Sequence, residues 1–198
     1  MNRRDLLKRA GAAIIPVAIL GSRLPAIGVS REPGITRVTA IVYDERYSDC
    51  GSFAGILSRH GAALFSVNGD CGRLWHGALM EHLVANRGNV AGLTTDSDFV
   101  VSRACGREHG LRLVYEGAHD SRGATEVMHR LRSAADQREI VAALGGDGAS
   151  WAETVAQSLH RLPSHGSAAI LRSPVSLKTP RSSDHPGYLT SWLLEKSA

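Results

Sequence analysis

The chain has 198 residues, 43% hydrophobic and 21% charged, a balance that suits a globular protein with a real core and excludes a disordered or fibrous one. Its formal charge of +4 comes from 23 basic against 19 acidic residues, and the excess is local: residues 1–28 carry Arg3, Arg4, Lys8, Arg9 and Arg23 against Asp5, so taking five from 23 and one from 19 leaves 18 of each. The remainder is formally neutral, which removes the electrostatic argument for a nucleic-acid partner or an anionic membrane surface.

Residues 1–28 have a basic start, an apolar run from Ala10 to Leu20 interrupted by Pro16, and a small-residue exit at Ala26-Ile27-Gly28. That order is the layout of a secretory signal peptide. The run is about half the ~20 residues a spanning helix needs, so no stable membrane span is expected in the mature chain. The stretch Asn2-Arg3-Arg4-Asp5-Leu6-Leu7-Lys8 resembles the twin-arginine export motif, in which two arginines precede a hydrophobic pair and often a lysine; Leu6 stands where that family carries Phe or Leu. The resemblance covers the N-terminus alone. It implies a bacterial periplasmic or secreted protein that folds before crossing the membrane, with Arg3 and Arg4 read by the twin-arginine machinery and often with a cofactor or co-exported partner aboard. Cleavage is expected after Gly28, leaving residues 29–198 as a single domain.

Four strand-like runs follow: Val38–Tyr43, Ala63–Val67, Val90–Leu93 and Leu111–Tyr115. The first is six uncharged, mostly apolar or β-branched residues, the signature of a strand buried on both faces. Helical segments alternate with the strands. Ser48–His60 presents Phe53, Ile56 and Leu57; Arg73–Ala85 presents Trp75, Leu79 and Leu83; Asp96–His109 presents Phe99, Val100 and Ala104. Gly61 and Gly110 sit where helix C-caps belong. This alternation predicts a three-layer α/β/α domain with a mostly parallel sheet, flavodoxin-like or Rossmann-like, whose βα core spans 34–120. Residues 121–198 read as a helical C-terminal extension. Thr125–Leu144 is expected to form one or two helices. Ser150-Trp151-Ala152-Glu153 has the form of a capping box opening another. Ala168–Leu171 reads as a short strand, Ser173–Gly187 as a loop, and Tyr188–Leu194 as a closing strand or helix.

An acid follows each of the four runs: Asp44, Asp70, Asp96 and Asp120, at spacings of 26, 26 and 24 residues. Parallel strands would bring them to the carboxyl edge of the sheet, where open α/β sheets bind ligands. Arg46, Arg73, Thr94, Thr95, His76 and His119 share the same turns, so such an edge could bind a polar small molecule, or an ion through carboxylates and histidine. The competing reading is structural: Asp is favoured at N-caps and turns, where its oxygen accepts backbone N–H bonds. Val67–Arg73 lacks both glycine-rich phosphate-loop patterns, and its two glycines read as turn residues.

Three cysteines leave at least one unpaired. Cys50 and Cys71 follow strands one and two, so a disulfide between them is one option and three free thiols the other. No C-x-x-C points to thioredoxin-type chemistry, no histidine spacing matches a metal motif, and no G-x-S-x-G supplies a nucleophile elbow. Two functions follow: an exported binding or accessory protein, holding a small polar ligand at the sheet edge or serving a co-exported redox enzyme; and a small periplasmic hydrolase-like enzyme using the carboxylates and His119. A deep pocket ringed by these groups favours the enzyme, and a shallow edge whose acids cap helices favours the binding protein.

Overall fold

The computed structural model describes residues 37–121, 125–145, 150–163, 174–181 and 184–196. The export signal lies outside them. The elements in chain order are β1 (Val38–Tyr43), α1 (Ser48–Arg59), β2 (Ala63–Ser66), α2 (Cys71–His76), α3 (Ala78–Asn86), β3 (Asn89–Thr94), α4 (Asp96–Glu108), β4 (Leu111–Asp120), β5 (Glu126–Ser133), α5 (Arg138–Leu144), α6 (Trp151–Arg161), β6 (Val175–Pro180) and β7 (Tyr188–Lys196).

The seven strands form one sheet in the order β2-β1-β3-β7-β4-β5-β6. Only β2-β1-β3 is parallel; β7, β4, β5 and β6 pair antiparallel in succession. The expected mostly parallel sheet is therefore wrong, and the cause is β7. It inserts between β3 and β4 and runs against both, so β4 is not the next parallel neighbour of β3. Because two reversals restore direction, β4 still points the same way as β1, β2 and β3.

Helices cover both faces. Ile41, Leu93 and Leu193 pack against α1, α5 and α6 in one core cluster. Ala40, Val42, Trp192 and Leu194 pack against α2, α3 and α4 in the other. The period-2 alternation of β7 explains its central place: Leu189, Ser191 and Leu193 face one layer while Thr190, Trp192 and Leu194 face the other, all buried. Gly92 sits opposite Trp192 in the β3–β7 ladder, and a Cβ there would overlap the indole, so glycine is what admits a tryptophan at this crossing.

The C-terminal half departs most from expectation. Glu126–Ser133 is a strand rather than a helix, because Val127, His129, Leu131 and Ser133 are buried while Glu126, Arg130 and Arg132 are exposed, a two-residue period. The expected loop at Ser173–Gly187 contains the edge strand β6, and Tyr188–Leu194 resolves as strand. Ala168–Leu171 lies outside the described residues. The expected helix Arg73–Ala85 is two helices, broken at Gly77. The caps behave as their sequences indicate. Ser150 Oγ accepts from Glu153 N at 3.2 Å, and Gly61 and Gly110 take φ of +87° and +73° just past α1 and α4. No helix among the described residues is long and apolar enough to cross a membrane.

Candidate functional site

In this order β1 is flanked by the two strands that follow it in the chain, so the connections leaving β1 and β3 diverge to opposite faces. Such a switch point opens a crevice beyond the carboxyl ends of β1 and β3. The Asp44 N–H donates to Leu93 O at 3.4 Å, carrying the β1–β3 ladder to its end, and Asp44 to Tyr47 and Thr95 to Asp98 follow the two strands there. Asp44 is 2% exposed, and its carboxylate organises the turn. Oδ1 accepts from the Arg46 backbone N–H at 3.1 Å and from Nε at 2.9 Å, while Oδ2 accepts from an Arg46 terminal nitrogen at 2.6 Å. Burial pushes the Asp44 carboxyl up, but these hydrogen bonds and the Arg46 charge outweigh it and hold the group below the usual carboxylate range. The Arg46 side chain remains 61% exposed, lies 5.4 Å over the Tyr47 ring, and feels the charge of Asp98. Its rigid two-point tether makes it a preoriented cation at the mouth of the crevice.

The other expected site residues do not converge on this point. Asp70 caps α2, accepting from Arg73 N at 2.8 Å, and lies beyond the edge strand β2; the Arg73 side chain is exposed. Thr94 is fully buried, where its Oγ1 accepts from the Trp192 indole at 3.2 Å. Thr95 caps α4 and also contacts Ser97 Oγ at 3.0 Å, while Asp96 accepts from Thr190 Oγ1 at 3.4 Å. The four acids are strung along the edge one strand at a time; from β2 to β4 the span is roughly 20 Å at ordinary strand spacing. Cys50 belongs to the core on one face of the sheet and Cys71 to the core on the other, so the sheet separates the pair considered for a disulfide; all three thiols are free and buried. Among the described residues no three His, Cys, Asp or Glu side chains are arranged to hold a metal ion.

His119 is fully buried within β4, not at the open edge, and it belongs to a polar chain that sequence reasoning missed. Tyr115 OH lies 3.2 Å from Ser191 Oγ, Ser191 Oγ lies 2.7 Å from His119 Nε2, His119 Nδ1 lies 2.6 Å from His129 Nδ1, and His129 Nε2 lies 2.6 Å from Thr179 Oγ1. These side chains come from β4, β7, β5 and β6, all on the face covered by α6. One arrangement of protons satisfies these contacts: Ser191 donates to Tyr115, His119 Nε2–H to Ser191, His129 Nδ1–H to His119, and Thr179 to His129 Nε2. Gly117, paired with Ser191, leaves the space that the two hydroxyls fill. Trp151 closes the chain from above, with its ring centroid 4.3 Å from His119 and 5.2 Å from His129. Burial is the main cause depressing both imidazoles, joined by their proximity to other histidines; His129 falls to about 4 and His119 well below its ordinary value. At neutral pH the chain is uncharged.

Ser191, His119 and His129 share the atom order of a nucleophile, base and orienting group. Ser191 is nevertheless fully buried, and the partners of its oxygen are Tyr115, Gly117 and His119. As folded, the chain couples four strands rather than facing a substrate. No protein-family model, curated protein or solved structure matches this chain.

Proposed function

We propose that the protein is an exported bacterial binding or accessory protein, delivered to the periplasm by the twin-arginine route, that uses the crevice between β1 and β3 to hold a small polar ligand or to serve a co-exported redox enzyme. The observation that carries this reading is the engagement of the edge acids: Asp44 is spent on tethering Arg46 and Asp70 on capping α2, which leaves an exposed, preoriented guanidinium as the recognition element. Native mass spectrometry of protein purified from the periplasm tests it. A bound mass is expected in the wild type and should be lost in Arg46→Ala. Only the bare chain mass in the wild type, or retention unchanged by Arg46→Ala, would overturn it. Export is tested separately: changing Arg3 and Arg4 to Lys should leave precursor in the cytoplasm.

The hydrolase reading has one specific observation in its favour, the 2.7 Å contact of Ser191 Oγ with His119 Nε2. Covalent labelling by a fluorophosphonate, lost in Ser191→Ala, would support it. No labelling of folded protein is expected if the chain is structural.

A further inference from the structure

Among the described residues, two buried ring N–H groups on neighbouring elements lack an acceptor. Trp151 opens α6 and is 5% exposed, and its indole Nε1 is buried with no partner. The other two tryptophans of the chain are satisfied, Trp75 by Ser102 Oγ at 3.0 Å and Trp192 by Thr94 Oγ1. His185, between β6 and β7, is 3% exposed, and its ring centroid lies 6.1 Å from that of Trp151. Its Nδ1 accepts from Gly187 N at 3.1 Å, so the neutral ring carries its proton on Nε2, which is also buried and unpartnered. Ser121 Oγ, in the connection after β4, is buried without a partner as well, and its backbone N–H donates to Gly187 O at 2.8 Å. Arg181 donates to the His185 carbonyl at 2.9 Å and is the strongest charge acting on the ring, ahead of Asp184 and Asp120. Asp184 does not fill the need, since its carboxylate accepts from Ser48 N and Oγ at 2.7 and 2.5 Å.

Two buried N–H donors beside a guanidinium match an anionic acceptor. We infer that the corner between the start of α6 and the β6–β7 connection is a binding site for a small carboxylate, whose two oxygens take the N–H groups of Trp151 and His185. The site lies on the antiparallel side of the sheet and does not depend on the crevice at Arg46.

Indole N–H resonances read it directly, because the chain has three tryptophans and only Trp151 lacks an acceptor. Protein labelled with nitrogen-15 is titrated at neutral pH with sodium formate, against sodium chloride at equal ionic strength, and the Trp151 peak is assigned by Trp151→Phe. Formate is expected to shift that peak saturably, leaving the Trp75 and Trp192 peaks in place, and chloride is not. In His185→Phe, affinity should fall by about tenfold or more. A wild-type Trp151 peak that formate moves no further than chloride overturns the inference, whether or not the variant folds. So does a folded His185→Phe protein that binds formate as the wild type does. Neither result bears on ligand retention at Arg46.

Discussion

His119 and His129 meet Nδ1 to Nδ1 at 2.6 Å inside the sheet, so a single proton lies between two rings that are both fully buried. An added proton either sets two N–H groups against each other at the facing Nδ1 atoms or displaces a hydroxyl that donates to an outer Nε2, and it places a charge under Trp151 with no counter-ion in contact among the described residues.

The consequence is acid lability. Both imidazoles have folded pKa values below their unfolded value near 6.5, with His129 at about 4. The unfolded chain therefore binds more protons between these values, and stability falls as pH drops through this window. Stability should be flat above about pH 7 and decline from roughly pH 6.5 to 4, by on the order of 3 kcal/mol for His129 alone. Urea unfolding across this range checks it. His129→Gln should flatten the slope, and an unchanged slope would mean the pair does not control it.

Gly117 offers a steric test of the same chain. A Cβ there would sit 2.6 Å from both Ser191 Oγ and Tyr115 OH. Gly117→Ala should cost about 1–3 kcal/mol through overpacking and the displaced hydrogen bonds. Gly51 in α1 has nothing within 4 Å of the same added atom, so Gly51→Ala should gain up to about 1 kcal/mol from helix propensity. Thermal melts of the two variants should move in opposite directions.

The parallel half was legible because its signals are local. Val38–Tyr43 is continuously apolar, and the turns and caps after it are of ordinary type. The antiparallel half was hidden by its polar interior. In β5 the inward positions include His129 and Ser133, which mask the alternation carried by Val127 and Leu131. Edge strand β6 is largely exposed and only six residues long, so Val175 and Leu177 are too few to announce it. His119 drew attention by its position, but His129, Thr179 and Ser191 join it from three other strands, and no spacing rule anticipates a pairing fixed by where β7 inserts. The inward polar residues at alternate positions of β4, β5 and β7 were the available signal.

The thiols give a prediction about the faces of the sheet. Burial raises the pKa of Cys50, of Cys71 (to about 11) and of Cys105. Cys71 also lies 3.3 Å from Ser102 Oγ. Native protein should react slowly with a thiol reagent, and unfolded, unreduced protein should take up three equivalents. A Cys50–Cys71 bridge in unreduced peptide maps would require one of the two helices to leave its face.

The acids at the carboxyl edge separate capping from recognition. Asp70 accepts one backbone N–H at the start of α2, a role Asn fills about as well, so Asp70→Asn should be near neutral and Asp70→Ala should cost about 1 kcal/mol. Asp44 differs because two oxygens hold Arg46 at three points and the carboxylate is buried while the guanidinium is not. Asp44→Asn keeps the shape but gives up the charge-assisted pair, at a cost of roughly 1–3 kcal/mol. Its carboxyl is held below the usual range, so the pair contributes at neutral pH and is lost only as pH falls through that lowered value. If Arg46 is the recognition element, freeing it from Asp44 should also weaken ligand retention, whereas Asp70→Asn and Asp70→Ala should leave retention unchanged. Denaturant unfolding and native mass spectrometry on the same four proteins, wild type included, give both readouts. Retention that tracks Asp70 rather than Asp44 would move the site from the β1–β3 crevice to the edge of the sheet.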